Sequence, residues 1–568
     1  MTQRNHLRRR TLLKGMAATS LLPLLGANLV GCSDDSDGPG ATASGQFLHG
    51  VASGDPLADR VILWTRLTPE AEGPVGVAWE VSESPDFEAL VASGEGTTSA
   101  DVDFTVKVDV EGLMPERRYY YRFSSGANMS PVGRTRTLPL GTVAAASFAV
   151  VSCSKFPTGF FNVYREVSEQ DVDAVLHLGD YFYESGNARD GEALGRVVDP
   201  PREILSLSDY RTRYAQYRGD PDLQAAHAAH PFITVWDDHE VANDAWRNGA
   251  ENHQPDEGDF GARKMAAIQA WYEWQPVRPP SAVEDIIYRR FQYGDLLDLL
   301  MLDTRIIGRD RQLEYDDFST AGMIDLPAAR AAISAPDRSL LGDDQRAWLR
   351  EQLSQSAARW QVLGQQVLLS RFQLPAAVVE ALELGASDGD ALDAATTAVL
   401  AAIAAKNKAP GQRTAEEQAL LDSAIPFNLD QWDGYEYERD QLLRHAVEVG
   451  SNLVVLAGDS HNAWSSQLTT PEGVVAGVEF GCTSVTSTGF ENTLGEDAAA
   501  LFTSLAVDLI DDLKRTNLNN RGYLYIQFSP QQVRASHRFV TTTQSRDYTV
   551  DESRTIEHTV AHGEMVLT

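Results

Sequence analysis

Cysteine is scarce in this chain of 568 residues, which has three, at positions 32, 153 and 482. That is too few for a fold built on disulfides. Cationic residues are outnumbered, with 48 Lys and Arg against 81 Asp and Glu and a formal charge of −33. No basic face outweighs such a balance, which argues against a specific nucleic-acid partner. An anionic substrate would therefore have to be held by metal ions or a local arginine. A membrane-spanning run is lacking at the N-terminus, where the apolar stretch Gly15–Val30 is short and broken by Pro23. The length suits two or three domains around a large core.

Residues Met1–Lys14 are basic, and Arg8, Arg9 and Arg10 precede Thr11-Leu12-Leu13-Lys14, the pattern of a twin-arginine export signal. The apolar stretch closes in Leu29-Val30-Gly31-Cys32. This resembles a lipoprotein signal-peptidase box, with Cys32 as the lipidated residue and the sole membrane attachment. The alternative is an ordinary cleaved signal with an incidental cysteine. Ser33–Gly45 has the composition of a flexible tether. Residues 1–45 are thus read as targeting and linker, with the twin-arginine export machinery as a partner and the periplasm or cell surface as the destination. Cys153 and Cys482 are left open to a mutual disulfide, metal ligation or burial as free thiols.

From 46 to 140 the chain alternates short β-rich runs with turn residues, including RVILWTRL, VGVAWEVS, FTVKVDV and YYYRFSS. That spacing suits a β-sandwich, and LMPERRYYYRF resembles the late strands of fibronectin type III-like domains. From 141 to 540 apolar strand runs are followed by helical segments, which predicts an α/β layered catalytic domain. An Ala-rich helical insertion is expected over 376–424, and residues 541–568 read as a tail, either covering the site mouth or frayed.

Four strand runs end in chemistry: Val150–Ser154, Val175–Tyr183, Phe232–Glu240 and Leu453–His461. A fifth exits at Asp303-Thr304-Arg305. In open α/β sheets such ends converge on one crevice. Asp180 and Tyr183 supply a carboxylate and a phenol from one strand end, hard anionic donors for a trivalent metal. Gln365 and Gln366 interrupt an apolar strand and need polar partners, for which a metal site or its surroundings are expected. The pattern is that of a multi-metal hydrolase.

Six segments in this order, CSKF, GDYFYE, WDDHEVAND, LDTR, QWDGY and GDSHN, resemble the PhoD-type alkaline phosphatases of the metallophosphoesterase superfamily, relatives of purple acid phosphatases. FLHGVASGDPLADRVILWTRL resembles the opening of that family's small β domain. The resemblance covers about residues 46–540. It implies a metallophosphoesterase β-sandwich flanked by helices, preceded by the all-β domain. It also implies hydrolysis of phosphate mono- or diesters, of small molecules or polymers, at a site holding Fe3+ and Ca2+. The family pattern makes Asp180 the bridging carboxylate and Tyr183 an iron ligand. Asp238 stands where an amide ligand often sits, Asp459 takes the place of a histidine ahead of His461, and Cys153 replaces an aspartate. Lys155 stands where a further histidine ligand is usual. Oxygen donors in place of histidine favour calcium. A thiolate with a phenolate suits iron.

Roles follow from side-chain chemistry. His239 is the expected proton donor to the leaving alkoxide, or a supporting histidine held by Asp237. Arg305 is expected to clamp phosphate, since a guanidinium pairs bidentately with phosphate oxygens, or to form a structural ion pair. Asp237 and Asn243 are further candidate calcium or supporting ligands. Two other readings are a phospholipase D-like phosphodiesterase and a cell-surface binding lipoprotein whose metal site is structural.

Overall fold

A computed structural model of the chain describes residues 43–186, 191–279, 286–320, 323–381 and 389–568. The export signal and Cys32 lie outside the described residues. Two large mixed sheets face each other. The first runs in the order Ile556–Ala561, Gln532–Phe539, Gly522–Phe528, Ala146–Val151, Ala174–His177, Pro231–Thr234, Val51–Gly54, Arg60–Arg66 and Thr105–Glu111. The second runs Arg289–Tyr293, Leu297–Met301, Trp360–Gln365, Leu453–Ala457, Val475–Gly481, Ala463–Thr469 and Leu513–Asn517.

The alternation of a strand explains both faces of the second sheet. In Leu453–Ala457, Val454 and Leu456 point into the core between the sheets, with Phe148, Met301 and Val478. Leu453 and Val455 point outward, where Leu349, Leu353, Leu442 and Leu443 from the helices Gly342–Gln355 and Glu436–Glu448 cover them. A strand covered on both faces reads as a continuous apolar run. On the first sheet the cover includes the helix Leu207–Arg218, opened by a capping box of Ser206 and Asp209. Its buried side carries Tyr210, Arg213, Tyr214, Tyr217 and Arg218 at helical spacing.

The β domain expected over 46–140 has both its layers in strands of its own, and one layer continues into the catalytic sheet. The strands Gly133–Arg136, Arg118–Ser125, Val75–Ser82 and Leu90–Thr98 form a separate sheet. It packs on Val51, Val61, Leu63, Val106 and Val110. Those residues lie on Val51–Gly54, Arg60–Arg66 and Thr105–Glu111, which join Pro231–Thr234 through Val51–Gly54, so the second layer of the sandwich is also the end of the first catalytic sheet. Period-2 alternation identifies a strand without naming its partner, which is why the sequence reading drew a boundary there.

Over 376–424 the chain forms the helices Ala376–Val379, Gly389–Lys406 and Ala415–Asp422. Ala395, Val399 and Ala402 pack into an apolar cluster with Ala499 and Ala506 of the helix Glu496–Leu509. The segment read as a tail is an edge strand instead. Ile556–Ala561 pairs antiparallel with Gln532–Phe539, and Val560 and Met565 are buried in the main core. Truncation of Val560 to alanine should accordingly destabilise the protein by about 1–3 kcal/mol in denaturant unfolding. A frayed tail would give no change.

Candidate active site

Within each sheet the central strands are parallel, and their C-terminal ends meet at one rim. From the first sheet come Cys153, Asp180 and the pair Asp237-Asp238. The second contributes Asp303, Arg305, Gln366, Asp459 and His461. At this rim the backbone leaves the usual regions. Cys153 (φ 61°), Asp180 (φ 54°), Asp459 (φ 59°) and His461 (φ 61°) all lie in the left-handed region. Non-glycine residues seldom adopt it, and such strain gathers at functional sites because the surroundings must impose it.

The imposing contacts are visible. Cys153 N donates to Gly179 O at 3.2 Å and Ser154 N to Asp180 O at 2.8 Å, tying the first two strand ends together. Buried Glu240 binds the second to the third. It accepts from Asp180 N at 3.0 Å, Tyr181 N at 2.7 Å and Asp237 N at 2.8 Å. The loops lie so close that a Cβ on Gly179 (φ 105°) would stand 2.4 Å from Asp237 Cβ. Only glycine fits there.

Among the described residues three groups of donor atoms result, each with its members within 4.8 Å of one another: Cys153, Asp180 and His461; Asp180, Asp238 and His239; Asp237, Asp238 and Asp459. Asp180 belongs to the first two and Asp238 to the last two, so the groups form one chain. The Tyr183 hydroxyl joins the first, donating to Asp180 Oδ2 at 2.7 Å and lying 3.0 Å from His461 Nε2. Ser487 Oγ donates to that hydroxyl at 2.7 Å, and Thr488 O lies 2.6 Å from His461 Nδ1. Among the described residues Asp180 Oδ1 and Asp237 Oδ2 are buried without a hydrogen bond. Such oxygens are costly unless a cation or proton satisfies them.

The electrostatics agree. Burial raises the Asp180 carboxyl well above the ordinary range, and the neighbouring Asp238, Asp237 and Glu240 add to this against the pull of His239. Asp459 is pushed up to about 7 by burial, with Arg305 opposing and Asp430, Asp238 and Asp244 adding. Asp238 is also buried, but Arg305 and His239 outweigh that and hold it at about 2. The donors fit a mixed centre: thiol, phenol, carboxylate and imidazole at one end, carboxylates alone at the other.

His239 is held by Glu184 and not by Asp237. Its Nδ1 lies 2.5 Å from Glu184 Oε2, and its ring packs 4.0 Å from that of Tyr183. Glu184 is wholly buried and accepts from Asn243 N at 2.9 Å and Asn252 Nδ2 at 2.6 Å. Burial alone would lower the His239 pKa, but Glu184, Asp180 and Asp238 reverse this and hold it well above its ordinary value. Asn243 gives its side chain to Glu251.

Arg305 departs from the phosphate clamp expected of it. It has no exposed surface, and its three nitrogens are engaged by Asp237 through Nε, Asp430 through Nη1 at 2.6–2.8 Å and Asp459 through Nη2 at 3.1 Å. A guanidinium suits carboxylates as well as phosphates, so residue type alone did not separate the two roles. Gln365 and Gln366 find partners away from the metal-type donors. Gln366 accepts from Thr304 N and Oγ1 and donates to Trp236 O, while Gln365 accepts from Trp432 Nε1. Cys153 and Cys482 are buried free thiols with Ser152 Oγ between them, 3.1 Å and 3.3 Å away. Lys155 lies over the Tyr183 ring, its Nζ 5.5 Å from the centroid.

The sequence profile of PhoD-like phosphatases matches residues 148–537, and that of their N-terminal domain matches 32–139. The chain belongs to the PhoD-like phosphatase family. Alkaline phosphatase D of Bacillus subtilis is 33% identical over 518 residues, which cover 87% of this chain and 78% of that one. The solved structure of PhoD superposes with a TM-score of 0.74 at 30% identity, covering 93% of this chain and 92% of the other. A more remote likeness, 25% identical over 225 residues, joins 34% of this chain to 50% of the acid phosphatase type 7 of Mus musculus. The chain is thus a phosphoesterase, with the mixed α/β catalytic sheets and preceding all-β region of that family.

Glu184 is the largest charge raising the His239 pKa. Glu184→Gln should therefore let His239 lose its proton at lower pH. The alkaline limb of the pH–rate profile should move down by about one unit or more, with metal content unchanged. An unmoved limb would show that His239 is not the titrating acid.

Proposed function

We propose that this phosphatase is an exported enzyme, anchored at Cys32, that hydrolyses phosphate mono- or diesters at an iron–calcium centre. The observation that carries this reading is the linked chain of donors, with four of its residues held in left-handed backbone. Cys153, Asp180, Tyr183 and His461 would hold Fe3+, and Asp180, Asp238 and Asp459 would hold Ca2+, with Asp180 common to both. Ions so held supply neutralisation of the phosphate charge and a water of lowered pKa. The chain's own side chains do the rest. Glu184 fixes the imidazole through Nδ1 and keeps it protonated, leaving Nε2 to deliver a proton to the departing alkoxide. Arg305 acts through others: it holds Asp237, Asp430 and Asp459 in place and offsets their repulsion.

A second reading, a phospholipase D-like phosphodiesterase, draws support from two adjoining cavities. One, of about 310 Å³, is lined by Asp244, Gln312, Tyr315, Phe427 and Asp430 beside the carboxylate end of the rim. The other is apolar, lined by Phe372, Phe427, Phe490 and Phe502. Phe427 borders both, and the apolar one is small, about 40 Å³, so a bulky apolar alcohol would have to open it. Comparing turnover of a monoester, a bis-ester and a phospholipid separates the readings.

Elemental analysis of protein exported by its native route, with a visible spectrum, should give about one iron per chain, calcium, and a tyrosinate-to-iron band. Asp180→Ala should lose metal and nearly all activity. His239→Ala should keep its metals and slow turnover by about 10²–10⁴-fold. Metal loss in step with activity would make His239 a ligand. Full metal content with no turnover on any phosphoester would favour the binding lipoprotein.

A further inference from the structure

Positive charge at the rim is mostly committed to the protein's own acids. Arg305 is shared among Asp237, Asp430 and Asp459, and Arg309 bonds to Asp430. Arg521 pairs with Glu491, and His239 with Glu184. Lys155 is different. It is half-buried, and among the described residues its ammonium makes no hydrogen bond and no ion pair, lying instead over the Tyr183 ring, 5.5 Å from Nζ to the centroid.

The backbone under this lysine is held firmly while its side chain is not. Lys155 O accepts from Thr158 Oγ1 at 2.9 Å and from Thr486 Oγ1 at 2.8 Å, and Phe156 N donates to Tyr217 OH at 2.9 Å. Next to Thr486, Ser487 Oγ lies 3.0 Å from Cys153 O and 2.7 Å from the Tyr183 hydroxyl. One loop therefore sets Lys155, Cys153 and Tyr183 relative to one another. The Tyr183 ring in turn packs 4.0 Å from that of His239. Burial is the main cause that brings His461 down to about 3, and Arg521, His239 and Lys155 add to the lowering in that order, so the Lys155 charge is felt at that imidazole.

A chain with a formal charge of −33 repels an anionic ester at long range. An unpaired ammonium beside the donors is where such an ester gains attraction. We propose that Lys155 binds a phosphoryl oxygen of the substrate at the Cys153–Tyr183 end of the rim, and favours monoesters over diesters. The proposal rests on the rim being the place of hydrolysis. The two kinds of ester differ at one corner of phosphorus. There a monoester carries a further terminal oxygen and a second negative charge, and a diester carries a second alcohol. An ammonium is a compact point charge whose protons can only donate, so it gains from that oxygen and charge and little from an ester oxygen. Cation–π attraction at a half-exposed site is weaker than a charge-assisted hydrogen bond, so the ammonium can leave the ring for the phosphate.

The test uses metal-loaded protein. Lys155→Gln should weaken competitive inhibition by inorganic phosphate and raise KM for p-nitrophenyl phosphate, each by about tenfold. Its loss of kcat/KM on that monoester should exceed its loss on bis(p-nitrophenyl) phosphate by about fivefold or more. Lys155→Arg, which keeps the charge, should recover part of the difference, and metal content and visible spectrum should match the wild type. Equal losses on the two esters would overturn the proposal. So would a loss that follows a shifted spectrum, since Lys155 would then act through Tyr183. Inorganic phosphate bound as tightly by Asp180→Ala as by the wild type, in calorimetry, would instead remove the rim as the site of hydrolysis and the proposal with it. Should Lys155→Gln fail to fold, a crystal structure of the wild-type protein with inorganic phosphate decides alone. Nζ within about 3.2 Å of a phosphate oxygen is expected; an ammonium still over the Tyr183 ring would overturn the proposal.

Discussion

Carboxylates brought together away from water repel one another, and the rim of this molecule is arranged around that repulsion. Asp180, Asp237, Asp238, Asp459 and Asp430 would each be stable alone in solvent. Assembled, they require positive charge at close range. Arg305 supplies part of it by bonding to Asp237, Asp430 and Asp459 at once, and Arg309 shares Asp430. His239 faces Glu184, and Glu240 is met by backbone N–H groups. Among the described residues Asp180 Oδ1 and Asp237 Oδ2 have no hydrogen-bond partner. The same arithmetic that makes the bare rim costly makes it suited to a cation.

Much of this was legible in the sequence because the strands announce themselves. An apolar run that breaks at Gly179 and delivers Asp180 and Tyr183 is readable as a strand end, and so is the run ahead of Asp459. What could not be read were partnerships. Glu184 follows Tyr183 directly in GDYFYE, yet its link to His239 spans 55 residues of chain, and nothing local reports it. A weak signal existed: an acid in an otherwise aromatic run calls for a buried partner. Arg305 was ambiguous for a chemical reason, since carboxylate and phosphate present the same pair of oxygens to a guanidinium. The glutamines of the strand Trp360–Gln365 and its exit were read as needing polar partners, and among the described residues all their polar atoms but Gln365 Nε2 have them. Those partners are a threonine, backbone carbonyls and a tryptophan, because a strand exit must satisfy its own loop before it can serve a metal.

The N-terminal region gains a different meaning from its pairing. Pro231 and Phe232 lie in register with Ser53 and Gly54, so the first strands of the chain flank the strand that carries Asp237 and Asp238 at its end. Trp64 and Lys107 reach further, to the carbonyls of Glu273 and Tyr272. A lid would touch the rim and leave the sheet free. This region extends the sheet, so the position of one strand is a route by which it acts on the rim.

That position matters because the rim is a matter of level. Val151, His177 and Thr234 are aligned across three parallel strands, and Met301, Gly364 and Leu456 across three more. Each strand therefore ends at the same height, and the residues just beyond it arrive together. Side chains alternate with a period of two, so a slip of one residue at Pro231–Thr234 would turn that strand's exit to the opposite face. Asp180 would keep its place and lose Asp238 as its neighbour. The donor groups share members, so the loss would spread from the second group to the third. A chain of linked donors holds only while every strand that feeds it keeps its register, and the first sheet's extension by the N-terminal strands helps to fix the one that contributes two adjacent aspartates.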